Sequence, residues 1–378
     1  MKFEINRLIF QNALATVQRA ISGKTTIPIL SGVKLELTPN QLKLTGSDGD
    51  LSIEKIIKTD DIEADLIIES PGSIVLPARF LSDIVRKLPE KNVHFELQNT
   101  TQVEIKSGQA IFNINGFETI DYPNLPLVDE DNAIKIPVRL LQQVISETVF
   151  AASKQENRPI LTGVHFTLDG NRLKAVATDS HRLSQRVLII DDLDDDMDVV
   201  IPAKSLTELS RSFTDEEAEI QISVSSNQVL FKTEDLAFYS RLLDGAYPDT
   251  DRLIPTSFET EVIFNVRLLS SAIERASLFS HEGSNTNNVV KLAITSDKIM
   301  LYGNSPEVGQ IEEQVTAEKI EGQDLNITFN PDYLKAALGA IKTDQVKIKF
   351  ISPVRPFTLE PVADDIDFIQ LITPVRTN

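Results

Sequence analysis

The chain has 378 residues, 37 of them basic and 56 acidic, for a net charge of −19, with 41% hydrophobic residues and no cysteine. That length allows roughly two to four separately cored domains. The missing cysteines exclude disulfides, thiolate chemistry and sulfur-ligated metals, and no stretch approaches the ~18 apolar residues that span a bilayer.

The opening Met1-Lys2-Phe3-Glu4-Ile5-Asn6 lacks an apolar export core, so a cytoplasmic location is expected. Helical periodicity begins at once and predicts a helix over Asn6–Ser22, with Asn6 as its cap. A hairpin follows at Lys34–Gly46, then a helix over Pro77–Leu88 with apolar Phe80, Leu81, Ile84, Val85 and Leu88. The next helix is Pro137–Ser153. After it Val164–Leu168, a turn at Asp169-Gly170-Asn171, and Leu173–Ala177 read as a hairpin. A helix over Pro202–Phe213 carries Leu206, Leu209 and Phe213. The last third predicts helices at Asn265–Ser280 and Asn330–Ile341 around a hairpin at Lys291–Tyr302. Pro77, Pro137 and Pro202 suit a first helical turn, where a missing N–H costs nothing, and Asn265 and Asn330 suit caps.

This order repeats. Ile27-Pro28-Ile29-Leu30-Ser31-Gly32-Val33 is matched 131 residues later by Arg158-Pro159-Ile160-Leu161-Thr162-Gly163-Val164, and Ser47-Asp48 by Thr178-Asp179. Val289-Val290-Lys291-Leu292-Ala293-Ile294 begins a fainter third copy. Tyr122-Pro123 and Tyr247-Pro248 close the first two. A period this long is a whole domain, not a solenoid unit of ~20–50 residues. The expectation is three tandem α+β domains with antiparallel sheets and two helices each, at 1–127, 128–256 and 257–378.

Charge is segregated within that plan. Over the predicted spans, with the second, third and last carried on to Lys91, Lys154 and Lys342, the six helices sum to +8, leaving −27 for the rest. A basic helical face on an acidic body is therefore expected, although Lys and Arg also enter helices by propensity alone.

Enzymatic chemistry finds little support. Gly23-Lys24-Thr25 has Gln18 where a phosphate loop needs glycine, and it follows a helix rather than a strand. Asp179, Ser180 and His181 are adjacent, whereas a triad converges from separate segments. The run Asp191–Asp198 reads as a solvated loop, and His94, His165, His181 and His281 lack ligand spacing. No catalytic residue, metal site or cofactor is expected; the chain reads as a binder. Its candidate site combines Thr178-Asp179-Ser180-His181-Arg182-Leu183, Tyr247-Pro248-Asp249 with Arg252-Leu253, Pro353-Val354-Arg355-Pro356-Phe357 and the tail Leu371-Ile372-Thr373-Pro374-Val375-Arg376. Apolar residues rimmed by arginine suit a short peptide.

These runs, together with Asp244-Gly245-Ala246-Tyr247-Pro248 and Phe329-Asn330-Pro331-Asp332-Tyr333-Leu334, make the chain resemble the bacterial sliding clamps, the β subunits of DNA polymerase III, over its whole length. The resemblance implies a head-to-tail homodimeric ring around double-stranded DNA, with helices inside, sheets outside and no sequence-specific contacts. It implies a clamp loader and the polymerase III α subunit among its partners, and no membrane.

Carried over by motif, the peptide pocket takes Leu161, Thr178, Ser180, His181, Arg182 and Leu183 from the middle domain and Pro248, Arg252 and Leu253 from the following linker. From the last domain it takes Asn330, Tyr333, Val354, Pro356, Leu371, Thr373, Pro374, Val375 and Arg376. Ser180 and Thr373 stand where Gly and Met are common in the family. DNA contacts map to Lys24, Arg86, Gln155, Arg158 and Lys204, and the dimer contact to Phe112 against Leu278 and Phe279. Removal of Leu371–Arg376 is expected to abolish peptide binding while leaving the dimer intact. Two other readings compete: a monomeric three-domain peptide scaffold that binds no DNA, and a phosphoester hydrolase using Asp194–Asp196.

Overall fold

The computed structural model describes residues 1–125, 127–130, 133–190, 196–213, 215–280, 288–306 and 308–376. Six α-helices lie where periodicity places them, each shorter than expected: α1 (Arg7–Gln18), α2 (Ala78–Lys87), α3 (Val138–Thr148), α4 (Ala203–Ser210), α5 (Val266–Ser277) and α6 (Pro331–Ala340). The Asn6, Asn265 and Asn330 side chains accept the N–H groups of Leu8, Leu268 and Asp332. Such caps are worth ~1 kcal/mol each. Pro77, Pro137 and Pro202 are not in the first helical turn. Each is the last residue of the preceding strand, because strand runs into helix without a loop. Of the prolines, Pro331 does open its helix.

Two other expectations change. Phe80 is 67% exposed, because α2 buries a narrower stripe of Ala78, Leu81 and Val85. The helices proper carry +4 rather than +8. The remainder sits just past their C-terminal ends, at residues such as Arg19, Lys154, Arg211 and Lys342, where a cation complements the helix dipole.

The backbone forms two compact units. The first, Met1–Leu141 with Lys204–Leu242, contains a five-stranded sheet in the order Ile67–Ser70, Lys2–Asn6, Asn92–Leu97, Gln102–Ser107, Ala110–Asn115. It also contains an eight-stranded sheet, Ile134–Pro137, Glu219–Val224, Gln228–Lys232, Leu236–Arg241, Leu51–Lys58, Gln41–Ser47, Gly32–Thr38, Gly72–Pro77. Phe3 and Phe95 stack at 4.8 Å, with Phe10 of α1 edge-on to Phe95 at 5.0 Å.

The second unit, Gln142–Ala203 with Leu243–Asn378, has a nine-stranded sheet. Its order is Met197–Pro202, Gly163–Asp169, Arg172–Thr178, Arg182–Ile189, Phe368–Ile372, Phe357–Pro361, Gln345–Phe350, Thr260–Asn265, Lys319–Gly322. A four-stranded sheet runs Gly309–Val315, Ile299–Ser305, Val290–Ile294, Leu325–Phe329. Phe264, Ile273, Phe329, Leu334, Phe350 and Phe357 form the core beneath α5 and α6. The ladders pair antiparallel throughout, for example Arg182↔Ile372 and Leu236↔Lys55.

Each large sheet thus contains a seam where strands from successive sequence repeats pair. One joins Leu51–Lys58 to Leu236–Arg241; the other joins Arg182–Ile189 to Phe368–Ile372. The repeat is local as well. Pro28–Ser31 and Pro159–Thr162 are both 3-10 turns, and Ser31 Oγ and Thr162 Oγ1 each donate to the turn's first carbonyl at 2.6 Å. A Cβ on the following Gly32 or Gly163 would come within 2.5 or 2.6 Å of a valine Cγ1, so glycine is required for the strands to approach.

Beneath the second seam a charged pair is buried. Arg186 Nε lies 3.1 Å from Glu147 Oε2 of α3, with both side chains under a tenth exposed and neither atom in an aligned hydrogen bond. Burial holds the Glu147 carboxyl above its usual range, against the pull of Gln143, Arg186 and Lys342.

Candidate functional site

The site is built on the turn that ends the strand Arg172–Thr178. Asp179 Oδ1 accepts the N–H groups of His181 and Arg182 at 2.9 and 3.0 Å, and its Oδ2 accepts Arg182 Nε at 3.0 Å. Thr178 Oγ1 donates to the Arg182 carbonyl at 2.6 Å and accepts the Ser180 N–H at 3.1 Å. Ser180 closes the turn at φ +78°, in the left-handed region that favours glycine. The turn pushes His181 outward and folds Arg182 back.

Arg182 then lies 4.9 Å from the Tyr333 ring and 5.6 Å from Phe150, at cation–π distance. His181 stacks on Tyr333 at 6.3 Å. These residues line a cleft of about 570 Å³ that also includes Asp179, Gln155 and Asp332. Burial, then the Asp179 carboxylate, pushes the Tyr333 phenol above its ordinary pKa. Tyr333 is therefore a neutral ring platform at physiological pH.

Beside the cleft is an apolar floor. Val176, Leu183 and Leu371 form a buried cluster with Tyr247 and Ile254 packed on it, and Leu183 faces Leu371 across the seam. Tyr247 Oη accepts the Thr178 N–H at 3.1 Å, and its ring lies 4.8 Å from His165. Burial raises the pKa of Tyr247 too. Pro248 is half-buried, while Arg252 and Leu253 are exposed on a 3-10 turn held by the Lys174–Asp251 ion pair at 2.9 Å. Arg252 itself pairs with Asp249 at 2.7 Å.

The terminal segment is not a separable tail. Leu371 and Ile372 are buried strand residues, paired with Leu183 and Arg182 on one side and Thr358 and Phe357 on the other. Deleting Leu371–Arg376 would cut into the core, so the expected clean truncation has to begin at Thr373. From there the Thr373 N–H bonds the His181 carbonyl at 2.9 Å, Pro374 is buried and the Val375 N–H bonds the Thr328 carbonyl at 2.8 Å. Arg376 is exposed.

Of the remaining expected residues, Leu161 is buried under its 3-10 turn and Asn330 caps α6. Val354 is exposed and Pro356 half-buried in the segment leading into Phe357–Pro361. Val176 and Phe150 complete the floor and cleft but were not assigned to them from sequence, whereas Tyr247 stood in the linker run named there. The signal for Tyr247 was its repeated Tyr-Pro; nothing in the sequence singles out Phe150.

The expected DNA contacts are dispersed. Lys24 is exposed after α1, Arg86 pairs with Asp83 at 2.6 Å and Lys204 with Asp48 at 3.7 Å. Gln155 lines the cleft, and Arg158 donates to Ser180 Oγ at 3.0 Å, which ties both to the groove. Phe112 lies on Ala110–Asn115, one edge strand of the five-stranded sheet, with exposed Ile111 beside it. Leu278 is 68% exposed at the end of α5. Phe279 borders Gly309, the first residue of Gly309–Val315, an edge strand of the four-stranded sheet. Residues 191–195 of the acidic run and His281 lie outside the described residues. Among those described, no group of three or more His, Asp or Glu could hold a metal, and no helix is long and apolar enough to cross a membrane.

Comparison with known proteins covers the entire chain. Models of the DNA polymerase III beta subunit match in order: the N-terminal domain at residues 1–126, the central domain at 135–249 and the C-terminal domain at 251–376. The beta sliding clamp of Streptococcus pneumoniae is 46% identical over 377 residues, covering 100% of this chain and 99% of that protein. That of Bacillus subtilis is 45% identical over 380 residues, covering all of both. Among solved structures, the polymerase beta subunit of Streptococcus pyogenes superposes with a TM-score of 0.96 at 48% identity, and a Pseudomonas aeruginosa sliding clamp bound to griselimycin with 0.92 at 28%. Each covers 100% of both chains.

Proposed function

The chain belongs to the DNA polymerase III β-subunit family, the bacterial sliding clamps, and from that membership we propose how its surfaces divide the work. The observation that carries the proposal is that two of the edge strands, Ala110–Asn115 and Gly309–Val315, lie beside exposed apolar side chains, Ile111 and Phe112 at the first and Val308 at the second. An exposed apolar edge strand calls for a partner strand. Two different edges on one chain give a head-to-tail contact, and two such contacts close a ring of two chains and six repeats. Phe112 meets Leu278 and Phe279 at each contact. The three repeats act as domains at 1–127, 128–256 and 257–378.

The ring encircles duplex DNA in the cytoplasm. Exposed cations of α2, α4 and their neighbours, Lys24, Arg86, Arg158 and Lys204 among them, together with the neutral amide of Gln155, touch only the phosphate backbone, so the ring slides without reading sequence. Hold on the template is topological, and the clamp has no catalytic step of its own. The groove around Leu183 and Tyr333 receives a short segment of the polymerase α subunit, of the clamp loader or of other replication proteins.

The test is to load the protein on circular DNA and then linearise it. Release from the free ends, together with sedimentation at about twice the 42.0 kDa of one chain, is the expected result. Retention on the linear product, or a stable monomer at micromolar concentration, would favour the DNA-free scaffold instead. Reversing charge at Arg86 and Lys204 together should lower DNA affinity about tenfold at low salt and flatten its salt dependence. Peptide affinity, measured by fluorescence anisotropy, should not move.

A further inference from the structure

The outer face of the first seam repeats the groove position by position. Asp48 Oδ1 accepts the N–H groups of Asp50 and Leu51 at 3.1 and 2.8 Å, as Asp179 does those of His181 and Arg182. Gly49, at φ +98°, stands where Ser180 does. Tyr122 lies against Lys34 at 5.8 Å, as Tyr247 lies against His165. The Arg241 N–H bonds the Asp50 carbonyl at 2.9 Å, as the Thr373 N–H bonds that of His181. Ser52 faces Tyr239 across this seam as Leu183 faces Leu371 across the other.

The backbone is the same, but the floor chemistry is opposite. Val176, Leu183 and Leu371 correspond to Thr45, Ser52 and Tyr239. Thr45 and Ser52 are more than nine-tenths buried. Thr45 Oγ1 donates to Glu54 at 3.3 Å, and Ser52 Oγ shares a hydrogen bond with Ser47 Oγ at 2.7 Å. At the mouth, Arg241 Nη1 reaches Asp50 Oδ1 at 3.4 Å, where the groove has Thr373 and His181. An apolar side chain seated on the first floor would meet hydroxyls already bonded to Glu54 and Ser47 instead of hydrocarbon, and each apolar contact forgone lowers affinity by about tenfold. On the second floor the same side chain meets only hydrocarbon.

We propose that the first seam is a dormant copy of the peptide groove. Three paired positions, Thr45/Val176, Ser52/Leu183 and Tyr239/Leu371, decide which seam accepts an apolar peptide. The proposal rests on the peptide-binding reading of the second seam.

The experiment grafts the second seam onto the first with Thr45→Val, Ser52→Leu, Tyr239→Leu, Asp50→His and Arg241→Thr in the full-length chain. A fluorescein-labelled peptide from the polymerase catalytic subunit is titrated and its stoichiometry measured by calorimetry. The unaltered chain should bind one peptide per chain and the graft two, the second within about 100-fold of the first. A graft that keeps its original site, and is thereby shown to be folded, yet still binds one peptide overturns the proposal. If the graft does not fold, the reverse exchange decides: Val176→Thr with Leu183→Ser, in a chain that has a lower melting temperature but is still folded at the assay temperature, should weaken binding about 100-fold, and undiminished binding overturns the proposal. An unaltered chain that binds no peptide sinks the underlying reading instead.

Discussion

A chain ended after Ile372 should remain folded and dimeric but bind polymerase-derived peptide at least about 100-fold more weakly, a loss of roughly 2.7 kcal/mol. The cut leaves the ladder between Arg182–Ile189 and Phe368–Ile372 untouched. It removes the two backbone hydrogen bonds that carry the tail from His181 to Thr328, and with them the buried Pro374. Without that strap the His181 turn loses one wall and the apolar floor is opened to water on one side. Fluorescence anisotropy gives the affinity and sedimentation the dimer. Unchanged peptide affinity would show that the floor and cleft suffice alone. Loss of the dimer would give the tail a role in assembly that its position beside Thr328 does not suggest.

Arg186→Met should destabilise the second unit by about 3–5 kcal/mol, because it strands the buried Glu147 carboxyl without its cation. Replacing both residues by methionine should recover most of the loss, since the charges must be desolvated to pair at all. The single variant has a pH signature. Its Glu147 pKa, already raised by burial, rises further in the folded state. Below the unfolded pKa the carboxyl is protonated folded and unfolded, and its cost is absent. As pH rises from there toward the folded pKa, the unfolded chain loses its proton first and stability falls. The deficit relative to the unaltered chain should therefore be larger at pH 7 than at pH 4. Urea midpoints at the two pH values measure it, and equal deficits would mean that the pair acts by packing rather than charge.

The helices were legible because their signals are local. An asparagine cap and a 3.6-residue apolar stripe need no knowledge of the rest of the chain, and Asn6, Asn265 and Asn330 all cap as expected. Prolines were less informative, since Pro77 suits a first helical turn and a strand end equally well. The groove was legible in its turn, where Thr178, Asp179 and Ser180 bond to near neighbours in sequence. Its floor was only partly legible, because Val176, Leu183 and Leu371 meet through pairings between distant strands. Phe150 enters the cleft from the 3-10 turn Val149–Ala151 that follows α3, and its sequence neighbours give no hint that Arg182 lies over its ring. The charge tally erred for a related reason: it counted residues beyond helix ends that only the carbonyl pattern of the backbone delimits.

The seams have a consequence for damage. Covalent boundaries between repeats and boundaries between folded units are out of phase, since each large sheet is woven from two successive repeats. A protease that nicked the connection around residues 127–130 would sever the polypeptide without severing the structure. Leu51–Lys58 and Leu236–Arg241 would still lie in one ladder, backed by the ion pairs Lys55–Asp235 and Lys58–Glu234. A nick around residues 244–246 would likewise leave Arg182–Ile189 laced to Phe368–Ile372. The molecule tolerates a broken thread because its large sheets cross the joins between repeats.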